Sequence, residues 1–328
     1  MYKVLIPQDI NQAGKTYLKK HGYKIVVGKN WDTETIKREI MDSHAVIART
    51  EKYPAEVIAA GKNLKIIARY GVGTDNIDVK AAEELGVIVT ITKGANKQSV
   101  AEHTIALLLA CAKNLIYCDK ECRKGNWNVR NSVSGMELKG KKLGLIGLGG
   151  IGLAVAKKAH FGFEMEILGY DPYLDAKDLP DYIEVVQTID DIFTKSDFIS
   201  VHVPLTSQTK HMIDKELLEK MKPTAYLINC SRGGIVNESD LYEVLKNNRI
   251  AGAAMDVFEI EPATKDNPLF TLDNFIASPH NAGLTKEAAE AVALSAAKAV
   301  HYVLSGRKPE YPINNPSRKN IQGKGEEK

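Results

Sequence analysis

Cysteine is scarce, four residues in 328, and that argues against a disulfide framework and for reduced thiols. Cys111, Cys118 and Cys122 follow one another at spacings of seven and four, which strings them along one stripe of a helix. A thiolate metal centre needs ligands that converge on a point. The expectation is therefore small side chains at a packing face and no metal. Long apolar runs are also missing. The longest is Ile105 to Ala112, far short of a membrane span. Charge is nearly balanced, 44 Lys and Arg against 41 Asp and Glu, so nothing in the composition calls for nucleic acid or an anionic membrane as partner. The opening MYKVLIPQDI enters a strand-like run with no signal-peptide pattern, and the expected location is the cytoplasm. Repeats and low-complexity tracts are absent. The last twelve residues, SRKNIQGKGEEK, are polar throughout and are expected to be a disordered tail.

What the chain does have is the stretch from Lys142 to Asp171, KLGLIGLGGIGLAVAKKAHFGFEMEILGYD. An apolar run leads into Gly147-Leu148-Gly149-Gly150-Ile151-Gly152, an amphipathic run follows, and a second apolar run ends at an acid. This reads as strand, glycine turn, helix, strand and carboxylate, the pattern of a dinucleotide site. Gly147 lets the chain turn, Gly149 lets the backbone approach a pyrophosphate, and Gly152 lets the helix lie close to the sheet. The helix amides then face the phosphates. Asp171 stands where a carboxylate accepts from ribose hydroxyls and repels a 2′-phosphate, which favours NAD over NADP.

A length of 328 residues suggests two domains. From Tyr2 to Thr92, β-rich runs (Val4–Ile6, Tyr23–Val27, Ala45–Ala48, Lys65–Ala68, Val87–Thr90) alternate with helical patterns, as in a parallel sheet covered on both faces. A single long helix is expected from Val100 to about Cys122, capped by Ser99. A second α/β unit runs from Lys142 to about Pro279, and a last helix from Thr285 to about Leu304.

Ligands of an open α/β sheet bind beyond the carboxyl ends of its strands. In the second unit those ends carry His202 and Thr206, then Cys230-Ser231-Arg232-Gly233-Gly234, then Asp256, Glu259 and Glu261, then His280. Arg232, flanked by glycine, suits a carboxylate bidentately. His280 is the natural acid or base for a hydroxyl proton, and Glu261 is placed to hold its imidazole. His202, His103 and His160 read as structural or cofactor-lining.

With these residues in view, the chain resembles the D-isomer-specific 2-hydroxyacid dehydrogenases, and most of all the short 3-phosphoglycerate dehydrogenases without a regulatory domain. The resemblance spans residues 2–315 and rests on RYGVGTDNID (69–78), GANKQSVAEHT (94–104), GLGGIG (147–152), HVPLT (202–206), NCSRGGIVNESDL (229–241), AAMDVFEIEP (253–262) and SPHNAGLTKEA (278–288). It implies two doubly wound α/β domains. One is a flavodoxin-like substrate domain, residues 1–99 plus 286–328, and the other a Rossmann NAD-binding domain, residues 100–285. It implies hydride transfer between NAD and C2 of a small 2-hydroxy or 2-keto acid, with a cleft that closes on the cofactor and a homodimer joined through the NAD domains. The catalytic arginine, glutamate and histidine of the family fall on Arg232, Glu261 and His280. Cofactor contacts fall on Gly147, Gly149, Gly150, Ile151, Gly152, Asp171, Thr104, Val203, Pro204, Thr206, Cys230, Asp256 and Gly283, with Asp256 at the nicotinamide carboxamide. Substrate contacts fall on Val72, Gly73 and Asn96, and on Arg49 and Arg69 where the substrate carries a phosphate. Gly150 stands where an arginine or another larger residue is common, Lys93 replaces a common proline, and Gly94-Ala95-Asn96 departs from the Asn-Gly-Asn usual in phosphoglycerate enzymes. The expected substrate is a small 2-hydroxy or 2-keto acid, with 3-phosphoglycerate and phosphohydroxypyruvate one pair the resemblance admits. The alternatives are hydroxypyruvate, glyoxylate or another 2-keto acid, or an NAD-sensing binding protein built on the same fold.

Overall fold

The computed structural model describes residues Met1 to Pro316; the tail expected from Ser317 onward lies outside the described residues. Chain packing separates two units, one made of Met1–Asn96 and the chain from Leu284, the other of Lys97–Gly283.

The first unit holds β1 (Lys3–Ile6), β2 (Lys24–Val27), β3 (Ala45–Ala48), β4 (Ile66–Arg69) and β5 (Ile88–Thr90) in a parallel sheet of order β2-β1-β3-β4-β5. This is the flavodoxin-like order. Every residue of β3 is buried, as a strand covered on both faces by helices must be. The helix Lys286–Leu304, capped by Thr285, belongs to this unit because Gly14 admits it. A Cβ at Gly14 would lie 2.7 Å from the Ala293 carbonyl oxygen, so only glycine lets the helix Gln12–Lys20 approach so closely.

The second unit holds β6 (Lys142–Ile146), β7 (Glu166–Tyr170), β8 (Ile183–Val185), β9 (Phe198–Val201), β10 (Tyr226–Asn229), β11 (Gly252–Met255) and β12 (Phe275–Ala277). All pair in parallel, in the order β12-β11-β10-β9-β6-β7-β8. The direction of strand succession reverses between β6 and β9, the switch point at which such sheets open a crevice. The two parallel sheets expected from the alternating pattern are thus present. The pattern misses β8 and the helix Ile189–Lys195, although a capping box of Thr188 and Asp191 announces that helix.

The single long helix expected from Val100 to Cys122 is two helices, Lys97–Ala112 and Leu115–Arg123, meeting at 62°. Asn114 breaks the run with a left-handed φ of 49°. Its side-chain amide donates to the Ser134 carbonyl, and the Ala112 carbonyl accepts from the Met136 amide. Ser99 is therefore a buried residue inside the first helix, not its cap. The shared cysteine stripe goes with the break: Cys111 is buried, Cys118 half-buried and Cys122 exposed. Among the described residues, no single helix is long and apolar enough to cross a membrane.

Candidate active site

Gly147 leaves β6 with a φ of +94°, and a Cβ there would sit 2.7 Å from the His202 carbonyl oxygen. The turn thus needs glycine for its conformation and for its contact with the end of β9. At Gly152 a Cβ would come within 2.2 Å of the Gly147 carbonyl oxygen, whereas at Gly149 it would meet nothing within 4 Å. The turn is tight on the protein side and open in front of the helix Gly150–Phe163, whose first-turn amides face that space. Ile151 is half-buried against the core beneath. At the end of β7 the Asp171 carboxylate accepts from the Leu148 amide and the Tyr173 amide, each at 3.0 Å. One oxygen is used in each bond, and each keeps a lone pair for a ribose hydroxyl.

Arg232, Glu261 and His280 come from the carboxyl ends of β10, β11 and β12. Asn229, the buried last residue of β10, shapes the arginine turn. Its side chain accepts from the Ser231 amide and hydroxyl and donates to the Arg232 carbonyl. Gly233 then brings that turn against the next one, since a Cβ there would lie 1.8 Å from the Phe258 carbonyl oxygen. The Phe258 amide donates to Glu261 Oε1 at 3.0 Å, and Glu261 Oε2 lies 2.6 Å from His280 Nδ1. An ionised carboxylate only accepts, so Nδ1 carries the hydrogen and Nε2 is the nitrogen that faces outward chemistry. Burial by itself would push the Glu261 carboxyl up. The His280 hydrogen bond, the Phe258 amide and the nearby Arg232 guanidinium outweigh it, and the carboxyl titrates below its ordinary value. Glu259, equally placed in sequence, faces elsewhere: it pairs with His211 at 3.2 Å and accepts from the Glu238 amide.

Asp256 organises the loop after β12. Its carboxylate is buried and accepts from the Ser278 hydroxyl at 2.6 Å, the Asn281 amide at 3.0 Å and the Ala282 amide at 2.9 Å. Its carbonyl accepts from the His280 amide at 2.7 Å. In this arrangement it fixes the loop that carries His280, and among the described residues Oδ2 accepts only from the Ala282 amide. Thr104 is likewise fully buried, its hydroxyl donating to the Val100 carbonyl. Cys230 is buried, and burial first of all lifts its thiol to about 12, so it stays protonated. Pro204 and Thr206 are exposed and Val203 and Gly283 half-buried. Thr206 closes its own loop by accepting from the Gln208 and Thr209 amides. His202 bonds Ser200 at 2.9 Å and is lowered by desolvation to about 4, which makes it neutral at pH 7 and unfit as proton donor. His103 contacts Ser278 Oγ at 3.0 Å, and His160 stacks on Tyr182, both in structural positions. Among the described residues no cluster of three or more His, Cys, Asp or Glu could hold a metal.

In the first unit, Arg69 is engaged with its own loop. Its Nε donates to the Gly73 carbonyl at 2.6 Å and its Nη1 reaches the Tyr70 carbonyl, so the guanidinium shapes the loop holding Val72 and Gly73. Arg49 donates to the Asp9 carbonyl at 2.6 Å and lies over the Tyr70 ring. Val72 is exposed, and Gly73 and Asn96 are half-buried.

Fold and glycine turn together define a Rossmann-type dinucleotide-binding frame, and comparison with known proteins gives the family. Residues 105–282 match the NAD binding domain of the D-isomer specific 2-hydroxyacid dehydrogenases, and the chain belongs to that family. It is 41% identical over 317 residues to D-3-phosphoglycerate dehydrogenase of Archaeoglobus fulgidus, covering 96% of this chain and 60% of that one. It is 40% identical over 296 residues to hydroxypyruvate reductase of Thermotoga maritima, covering 89% and 95%. In structure it is similar to the TT0316 protein of Thermus thermophilus, with a TM-score of 0.88, 32% identity and coverage of 95% and 99%. The chain thus spans about 60% of the length of the phosphoglycerate dehydrogenase it matches.

Proposed function

We propose that the chain is an NAD-dependent D-2-hydroxyacid dehydrogenase interconverting a short 2-keto acid and its D-2-hydroxy acid. The observation that carries this reading is the 2.6 Å pairing of Glu261 with His280 beside Arg232, on the same sheet edge as the open glycine turn. The turn fits a dinucleotide: space in front of Gly149, amides at a helix start, and a carboxylate at the end of β7. Gly147 to Gly152 would hold the pyrophosphate and Asp171 the ribose hydroxyls, with Val203, Pro204, Thr206 and Gly283 along the rim. Bound NAD supplies the hydride carrier.

The protein's own part is binding and proton handling. Arg232 takes the substrate carboxylate in its planar fork. His280 Nε2 gives a proton to the C2 oxygen when the keto acid is reduced and accepts it back when the hydroxy acid is oxidised. Glu261 keeps the ring in the Nδ1–H orientation. On the first unit, Val72, Gly73 and Asn96 are the substrate residues of the same reading.

Of the two substrate classes, we favour unphosphorylated acids, because the guanidinium of Arg69 already serves the carbonyls of Gly73 and Tyr70. Rates of NADH and NADPH oxidation with glyoxylate, hydroxypyruvate, pyruvate and phosphohydroxypyruvate test this. Glyoxylate or hydroxypyruvate with NADH should be fastest. A wide margin for phosphohydroxypyruvate would return the phosphate role to Arg49 and Arg69, and no turnover with any of them would end the dehydrogenase reading. We also read the protein as a cytoplasmic homodimer joined through its NAD-binding unit. In support, that unit exposes Leu115, Ile116 and Trp127 at 57%, 52% and 71%, near a groove of about 420 Å³ lined in part by Ile116, Tyr117 and Phe270.

A further inference from the structure

Gly150 leaves the first position of the phosphate-facing helix without a side chain, and the space beside it is not empty. A Cβ built on Gly150 would have the Lys97 Cδ as its neighbour, at 3.4 Å. Lys97 is the first residue of the helix Lys97–Ala112, and Gly150 the first residue of the helix Gly150–Phe163. Its ammonium, two bonds beyond Cδ, therefore lies close to two helix starts at once. Each start carries roughly half a positive charge. Neither helix has an acidic residue in its first turn, and Lys97 has no ion pair among the described residues. Lysine at a helix start is unfavourable by itself, so a cation next to two such ends, with no countercharge built in, is a place short of one anion. By contrast, Lys158 on the same phosphate-facing helix is paired with Glu102 at 3.1 Å.

We propose that Lys97 binds the pyrophosphate of the dinucleotide, supplying from the neighbouring helix the cation that a glycine at 150 cannot. This rests on the NAD-binding reading of the same turn. It makes Lys97 a cofactor-binding residue specified by this chain's own pair, a lysine at 97 with a glycine at 150. The flexible stem lies where a side chain at 150 would begin.

The test is binding, not turnover. NADH affinity would be measured by fluorescence titration for the full-length wild type, Lys97→Ala, Lys97→Arg and Lys158→Ala at low and high salt. ADP-ribose, which carries the pyrophosphate, and adenosine, which does not, would serve as competitors. Losing a charge-assisted hydrogen bond of roughly 1.5–3 kcal/mol corresponds to about tenfold or more. Lys97→Ala should therefore weaken NADH and ADP-ribose about tenfold at low salt, flatten the salt dependence and leave adenosine unchanged. Lys97→Arg should stay within about twofold of wild type, as should Lys158→Ala. Equal losses in Lys97→Ala and Lys158→Ala, an adenosine affinity that falls in step with NADH, or a Lys97→Ala affinity within twofold of wild type would each overturn the assignment. Wild-type protein that fails to bind NADH would remove the cofactor reading and the assignment with it; NADH binding without turnover on any keto acid would remove only the dehydrogenase reading.

Discussion

His280 adopts a φ of +50°, a left-handed conformation that costs a residue with a Cβ about 1–2 kcal/mol. Asp256 holds it there from both sides, its carbonyl on the His280 amide and its carboxylate on Ser278, Asn281 and Ala282. The proton count extends this network. The one hydroxyl hydrogen of Ser278 goes to Asp256, so the 3.0 Å contact with His103 requires His103 Nε2 to be the donor. Such a fixed tautomer is structural work, and it separates His103 from His280 although the two look alike in sequence. His202 is separated by its titration. Its value falls from 6.5 to about 4 on folding, so between those pH values the unfolded chain binds the proton and the folded one does not, and stability is lost as pH falls through that window. Urea unfolding at pH 7 and pH 5 should show a lower stability at pH 5, and His202→Gln should reduce that difference. A variant with the same pH dependence as wild type would place the effect elsewhere.

At the scale of elements, glycines decide which turns touch. The glycine turn was legible because each of its glycines acts within a few residues of its own strand and helix. Gly233 was legible only as a neighbour of Arg232. Its role, admitting the Phe258 carbonyl, depends on β11, which lies nearest to β10 in the sheet but some twenty residues on in sequence. The break at Asn114 was hidden for a similar reason: an apolar run and helical spacing continue through it, and what stops the helix is the segment around Ser134 and Met136. The burial of Asp256 was hidden too, since sequence places a carboxylate at a strand end without saying which amides fold back onto it. Gly233→Ala would drive a methyl into the Phe258 carbonyl and push the arginine turn away from Glu261. We expect a loss of about 1–3 kcal/mol in stability, the usual cost of overpacking, and a much larger fall in kcat/KM. A variant whose activity fell only in proportion to its folded fraction would show that the two turns need not be in register.

For the molecule as a whole, we expect an assembly and a division of labour. Trp127 is 71% exposed on the NAD-binding unit, which also exposes Leu115 and Ile116, apolar surface of the kind a subunit interface covers. Wild type should have the mass of a dimer in light scattering, and Trp127→Glu should shift it toward monomer; an unchanged mass would move the interface off this face. In the division of labour we propose, one part of the NAD-binding unit holds the cofactor and a separate histidine moves the proton. The most direct measurement of this division is turnover of His280→Ala on the best keto acid, alongside its NADH affinity. Removal of a general acid typically costs about 10² to 10⁴ in rate, so kcat should fall by that much while NADH binding stays within about twofold. A variant that keeps most of its turnover would contradict the account, whatever the glycine turn binds.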